Sequence, residues 1–149
     1  LDGLTFAAVL SSPSSRALDT ARLAGFGEAV QIEPDLHEWD YGAYEGLTTP
    51  QIRRRVPGWR IWTHGAEDGE SPADVTERVD RVLARVRASR GDVALFAHGH
   101  VLRALAARWL GLPVSEGRLF ALGTATVSVL GWERDQPVVE QWNESCHLP

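Results

Sequence analysis

The stretch Val93-Ala-Leu-Phe-Ala-His98-Gly99-His100-Val-Leu-Arg103 constrains this chain more than any other. An apolar run of strand length reads as a strand buried on both faces, as in a parallel sheet. It passes without a linker into Val101, Leu102, Leu105 and Leu110 at helical spacing. In an open α/β sheet, the carboxyl end of a strand, where the chain turns into a helix, is where ligands bind. His98 stands at that turn, and a histidine there can donate to an anion or move a proton near neutral pH. Gly99 is expected to let the backbone turn tightly and come close to a ligand. The N–H groups of the following helix face any anion placed there.

The rest of the chain supplies strands and helices in alternation. Leu4–Leu10 reads as a first strand, stopped by Ser11-Ser12-Pro13, with a helix over about residues 14–24 ended by Gly25 and Gly27. Residues 29–32 read as a second short strand before Pro34. Thr49 is expected to cap a short helix with Pro50 at its first position. Ser71, Pro72 and Asp74 mark the start of a longer helix to about Ser89, with Val75, Val79, Val82, Leu83 and Val86 as its apolar stripe. Gly111-Leu-Pro113 closes the helix after His98, and residues 124–132 and 138–142 read as a closing hairpin. Alternating strands and helices predict an α/β fold with a mostly parallel sheet.

If the strands are parallel, Arg16, Glu38 and His98 gather at one sheet edge. A cation, a carboxylate and a histidine beside a helix N-terminus suit a phosphate ester. Arg16 would grip the phosphoryl oxygens, His98 would stabilise transition-state charge, and Glu38 would protonate the departing alcohol. Taken singly, Arg16 also reads as a solvated helix residue, Glu38 as a turn residue and His98 as a helix-capping or core histidine.

Composition removes several other classes. The net charge of −5 argues against broad nucleic-acid binding, no apolar run approaches a membrane span, and the single cysteine, Cys146, allows no internal disulfide. These features fit a cytoplasmic protein. All fifteen basic residues are arginine, whose planar fork grips phosphate at two points. His98-x-His100 resembles half of a binuclear metal site, but His37, His64 and His147 are scattered, so no metal or other cofactor is expected. A Gly-x-Ser-x-Gly elbow is absent from the sequence, which counts against a serine hydrolase.

Taken together, four motifs resemble the histidine phosphatase superfamily in its phosphoglycerate-mutase-like branch. They are Ser11-Ser-Pro-Ser-Ser-Arg16-Ala-Leu-Asp-Thr-Ala21, Leu36-His-Glu38-Trp-Asp-Tyr-Gly42-Ala-Tyr-Glu45-Gly46, Gly69-Glu-Ser71 and Ala97-His98-Gly99-His100-Val-Leu-Arg103. The resemblance implies a three-layer α/β/α fold over residues 1–149 as a single domain. It also implies phosphate binding by Arg16 and Gly99, proton donation by Glu38, and His98 as the second active-site histidine. The substrate would be a small phosphorylated molecule, hydrolysed through a phosphohistidine.

One departure stands out. The family's nucleophile is the histidine of an Arg-His-Gly triplet ending its first strand, and no Arg-His-Gly occurs here. The chain also lacks methionine, so the first strand and most of the first helix are expected to be missing. A further segment, or a partner copy in a homo-oligomer, would then have to complete the sheet, and these 149 residues alone are expected to be inactive. The short run from Gly46 to Gly69 favours a phosphatase over a mutase-type phosphotransferase, with a catalytically inactive phosphate-binding domain as the other alternative. His100 is expected to be carried away from the site by its helix. Trp39, Tyr44, Trp59 and Trp62 are weighed evenly between walling an apolar pocket and packing in the core.

Overall fold

The computed structural model describes residues 3–147, and the chain alternates strand and helix through most of that length. Three strands, β1 (Ala8–Ser11), β2 (Val30–Ile32) and β3 (Val93–Phe96), form a parallel sheet in the order β2-β1-β3. Leu10 pairs with Gln31 on one side and Leu95 on the other, and is fully buried. The first strand begins later than the sequence suggests. Its ladder with β3 starts at Ala8 opposite Val93, and Leu4, which has no partner strand there, is exposed. Pairing, not apolar content, sets the strand's start.

The helix α1 (Ser15–Ala21) leaves the end of β1, then loosens into a wider turn over Arg22–Phe26, where Gly25 takes a left-handed φ of 93°. Helix α2 (Thr49–Arg55) is capped by Thr48, one residue earlier than expected; the Gln51 side chain accepts the Thr48 N–H at 2.7 Å. Between them runs an irregular loop, and a one-turn helix α3 (Ile61–His64) follows α2. Helix α4 (Pro72–Ala88) starts as expected, with Ser71 and Asp74 capping each other reciprocally. Its stripe Val75, Val79, Val82 and Leu83 is buried, and it packs on helix α5 (Gly99–Trp109), which follows β3. Strands β4 (Val127–Glu133) and β5 (Gln136–Glu144) form a separate antiparallel hairpin.

The core answers the question of the aromatic residues. Trp39, Tyr44, Trp59 and Trp62 are each at most 6 % exposed. Trp39 and Trp62 meet edge to face at 5.4 Å, and Tyr44 and Trp59 at 5.6 Å. Most of their surface is therefore spent on packing, which is the dominant stabilising use of a large ring.

One charged side chain lies in this core. Arg78 of α4, 3 % exposed, holds the Glu70 carboxylate with two hydrogen bonds of 2.6 and 2.9 Å. Its remaining nitrogen donates to the carbonyls of Asp35 and His37 at 2.8 and 2.9 Å. Glu70 also accepts the backbone N–H of Asp40 at 2.9 Å, so the pair stitches both flanks of Glu38 to α4. Close approach of the two backbones needs glycine: Gly42 has a φ of 46°, and a Cβ there would overlap the Glu67 carbonyl. Arg78→Met should destabilise the protein by about 3–5 kcal/mol in urea denaturation, because it strands a buried carboxylate and two carbonyls. A loss under 1 kcal/mol would show that the clamp is dispensable.

Candidate functional site

The parallel register brings the ends of all three strands to one edge, and the expected residues meet there. Arg16, in the first turn of α1, donates from Nε to His98 Nδ1 at 3.1 Å. His98 follows β3 after Ala97, precedes the first turn of α5 without capping it through its side chain, and is 7 % exposed. Its other nitrogen, Nε2, lies 2.8 Å from the hydroxyl of Ser12, itself fully buried after β1. Because Arg16 can only donate, His98 Nδ1 must accept, which places the ring proton on Nε2, pointing at Ser12. Burial, and then the Arg16 charge, lower the His98 pKa below its ordinary value, against a smaller upward pull from Glu38. His98 is therefore a neutral donor near neutral pH, held on both sides.

Glu38 lies across from this pair, and its position departs from the expectation. The N-terminus of α5 is not left open for an anion, because the Glu38 carboxylate caps it. Oε2 accepts the N–H of His100 at 3.1 Å, and Oε1 accepts those of Val101 at 3.0 Å and Trp39 at 2.9 Å. The positive end of the helix dipole adds to this hold. Burial pushes the Glu38 pKa up, but the hydrogen bonds from the His100 side chain and the backbone, with the His100 charge, outweigh it and hold it at about 2.

Gly99 serves differently from the expectation. Its φ is not left-handed, so no tight turn demands it. What it leaves is space: the atom nearest to an added Cβ would be Glu38 Oε2 at 4.0 Å. Arg16 and Glu38 line the same cavity, and the buried His98 touches it through Arg16.

His100 does not leave the site. One residue into α5, its side chain folds back over Glu38, with Nδ1 3.5 Å from Oε2, and Nε2 lies 3.3 Å from the Tyr41 hydroxyl. The ring packs between Tyr41 and Trp62, at centroid distances of 5.7 and 5.4 Å. Helical side chains point back toward the N-terminus, which is why His100 covers the turn before it. Burial, then the charges of Glu38 and Glu45, push Tyr41 up to about 12, so its hydroxyl stays protonated. Arg16, Glu38, Tyr41 and His100 line a cavity of about 630 Å³, with Asp40 and Glu45 on its wall. Ser12, Tyr41 and His100 are the site residues that sequence reasoning missed. The serine pair ending β1 was the available signal for Ser12.

Comparison with known proteins follows this geometry. The family model for the histidine phosphatase superfamily (branch 1) matches residues 1–145. An acid phosphatase from Mycobacterium tuberculosis is 49 % identical over 127 residues, covering 84 % of this chain and 62 % of that protein. A sedoheptulose 1,7-bisphosphatase from Saccharomyces cerevisiae is 39 % identical over 104 residues, covering 58 % of this chain and 38 % of that protein. This chain thus spans less than two thirds of either relative. Among solved structures, that of the M. tuberculosis open reading frame Rv3214 superposes with a TM-score of 0.87 at 43 % identity, covering 93 % of this chain and 72 % of that one. A mycobacterial glucosyl-3-phosphoglycerate phosphatase in complex with inorganic phosphate gives 0.80 at 30 %, covering 95 % and 79 %.

The capped carboxylate has a thermodynamic signature. A carboxyl whose folded pKa is depressed from 4.5 to about 2 stabilises the fold above pH 4.5 and loses that contribution as the pH falls toward 2. Glu38→Gln should therefore cost on the order of 1 to 3 kcal/mol at neutral pH, with the gap to wild type closing between those two values. Thermal unfolding across pH measures it, and a constant gap would contradict the capped, ionised state.

Proposed function

Since this chain belongs to branch 1 of the histidine phosphatase superfamily, we propose that it serves the hydrolysis of small phosphate monoesters through a phosphohistidine. The nucleophile that the family resemblance implies, the histidine of an Arg-His-Gly triplet, is not among these 149 residues. To these residues we assign the phosphate grip and the handling of the proton. The observation that carries the reading is that Arg16, held by the buried His98, and Glu38 line one cavity.

Arg16 keeps its terminal guanidinium nitrogens for the phosphoryl oxygens while Nε ties it to His98, so the cation is oriented before the ligand arrives. His98 adds its neutral Nε2–H when a phosphoryl oxygen displaces the Ser12 hydroxyl that occupies it, in a buried setting where a fixed dipole stabilises developing charge well. Glu38 gives its proton to the leaving oxygen, which a poor leaving group such as an alkoxide requires. The names of the relatives, an acid phosphatase and sugar-phosphate phosphatases among them, support a small phosphorylated substrate.

Inorganic phosphate titrated into the protein should shift the His98 ring and Arg16 Nε signals in NMR, and Arg16→Ala should weaken binding at least about 10-fold. Binding unaffected by Arg16→Ala would remove the grip from this edge. In a form that carries the Arg-His-Gly nucleophile, Glu38→Gln should slow alkyl phosphate hydrolysis about 100- to 10,000-fold. The loss should be far smaller with nitrophenyl phosphate, whose leaving group needs little protonation. Equal losses on both esters would take the donor role away from Glu38.

A further inference from the structure

Glu38 presents a chemical problem that its own contacts do not solve. Three backbone N–H groups hold it as an anion, and backbone amides have no proton to give. To protonate a leaving group, the carboxylate must first acquire a proton. The ionisable side chain set against it is His100, with Nδ1 3.5 Å from Oε2, loose in the manner of unliganded sites.

We propose that Glu38 and His100 work as one proton-holding couple, with His100 Nδ1 passing its proton to Glu38 Oε2 and Tyr41 fixing the ring from its far side. This rests on the phosphatase reading and makes His100 a positioning and proton-supplying residue. The imidazole is held for that task. Its Nε2 meets the Tyr41 hydroxyl, its faces meet Tyr41 and Trp62, and its edge opens on the cavity.

The step balances without any further reactant. When a phosphate dianion settles by Arg16, negative charge beside Glu38 favours the neutral acid. The Nδ1–H bond of the imidazolium breaks as the Oε2–H bond forms, leaving a neutral imidazole whose Nε2–H donates to the Tyr41 oxygen. The acid O–H then breaks toward the ester oxygen as the P–O bond opens and its electron pair moves to that oxygen. In the second half-reaction the hydroxyl of the hydrolytic water goes to phosphorus as the P–N bond to the nucleophilic histidine breaks, and the water's proton passes to Glu38 and on to Nδ1.

The surroundings of the ring agree with this traffic. Glu38 and Tyr41 face it from the loop, and Arg103, one turn along the same helix, lies over Trp62 with Cζ 4.7 Å from the ring centroid. Arg16, His37, Asp40 and Glu45 share the wall of the larger cavity. A smaller adjoining cavity of about 240 Å³, which His100 and Tyr41 also line, adds Arg53 and Arg60. Glu38 is thus the carboxylate next to His100, and the smaller cavity on which His100 also opens is lined by the cations Arg53 and Arg60.

The test uses the whole chain with glutamate labelled at its carboxyl carbon. Coupled groups report one another's titration, so the Glu38 signal should show a small second inflection at the pH where the His100 ring signal titrates. In His100→Gln that inflection should vanish, and the main Glu38 midpoint should rise by about one unit. The backbone donors at residues 100 and 101 survive this substitution, so a purely structural role would leave the curve in place. Saturating inorganic phosphate near neutral pH should move Glu38 toward its protonated signal in wild type and less in the variant. A Glu38 curve without the second inflection, or one unchanged by His100→Gln, overturns the couple even where phosphate binds. If the variant does not fold, the wild-type inflection alone decides. Absence of phosphate binding at His98 overturns the phosphatase reading and the couple's catalytic use together.

Discussion

The buried pair Arg78–Glu70 is the constraint on which the site depends. A guanidinium taken out of water must be almost fully hydrogen-bonded, and Arg78 meets that demand with both Glu70 oxygens and the carbonyls of Asp35 and His37. Glu70 in turn holds the backbone of Asp40, and its own carbonyl accepts the Trp39 indole N–H at 3.0 Å. An irregular loop has no ladder to satisfy its polar groups, so such a clamp does for it what pairing does for a strand. The catalytic candidate Glu38 sits between the clamped residues. Its placement is set by α4, an element that contributes nothing to the phosphate-facing surface.

The site divides its charge by a similar economy. The cation and the neutral imidazole stand at the ends of β1 and β3, while the carboxylate occupies the positive end of α5. A phosphate placed by Arg16 would meet a donor surface on one side and an acid on the other. Keeping Glu38 on the helix terminus prevents it from neutralising Arg16 directly, which would close the anion site on itself. His100 lies beside that carboxylate, and both line the cavity.

Much of this was legible from residue order. The strand before His98, the Ser71 cap, the stripe of α4 and the convergence of Arg16, Glu38 and His98 follow from periodicity, capping chemistry and the parallel alternation of elements. The α/β class and the family resemblance followed too. Other parts were not legible, and each for a specific reason. The start of β1 depends on where its neighbour begins, and Thr48 rather than Thr49 caps α2 because Gln51 reaches the earlier residue. Gly99 was expected to give a tight turn and a close approach to a ligand, and its φ is not left-handed, since a φ angle cannot be read from glycine's presence. The four aromatic residues pack in the core and also line the cavities, Trp39 and Tyr44 the larger one and Trp59 and Trp62 the smaller.

The sequence by itself determined the local elements and the identities of the groups that meet, because helix caps, apolar periods and turn residues act over a few positions. Tertiary structure alone decided which partner each group takes. Glu38 could have faced an open cavity and instead caps α5; His100 could have pointed to solvent and instead folds back on Glu38; Arg78, a charged residue on a helix, could have been solvated and instead lies in the core. Those outcomes depend on distances between segments far apart in the chain, Glu38 to Val101 and Asp35 to Arg78 among them, which only close packing of the whole fold fixes.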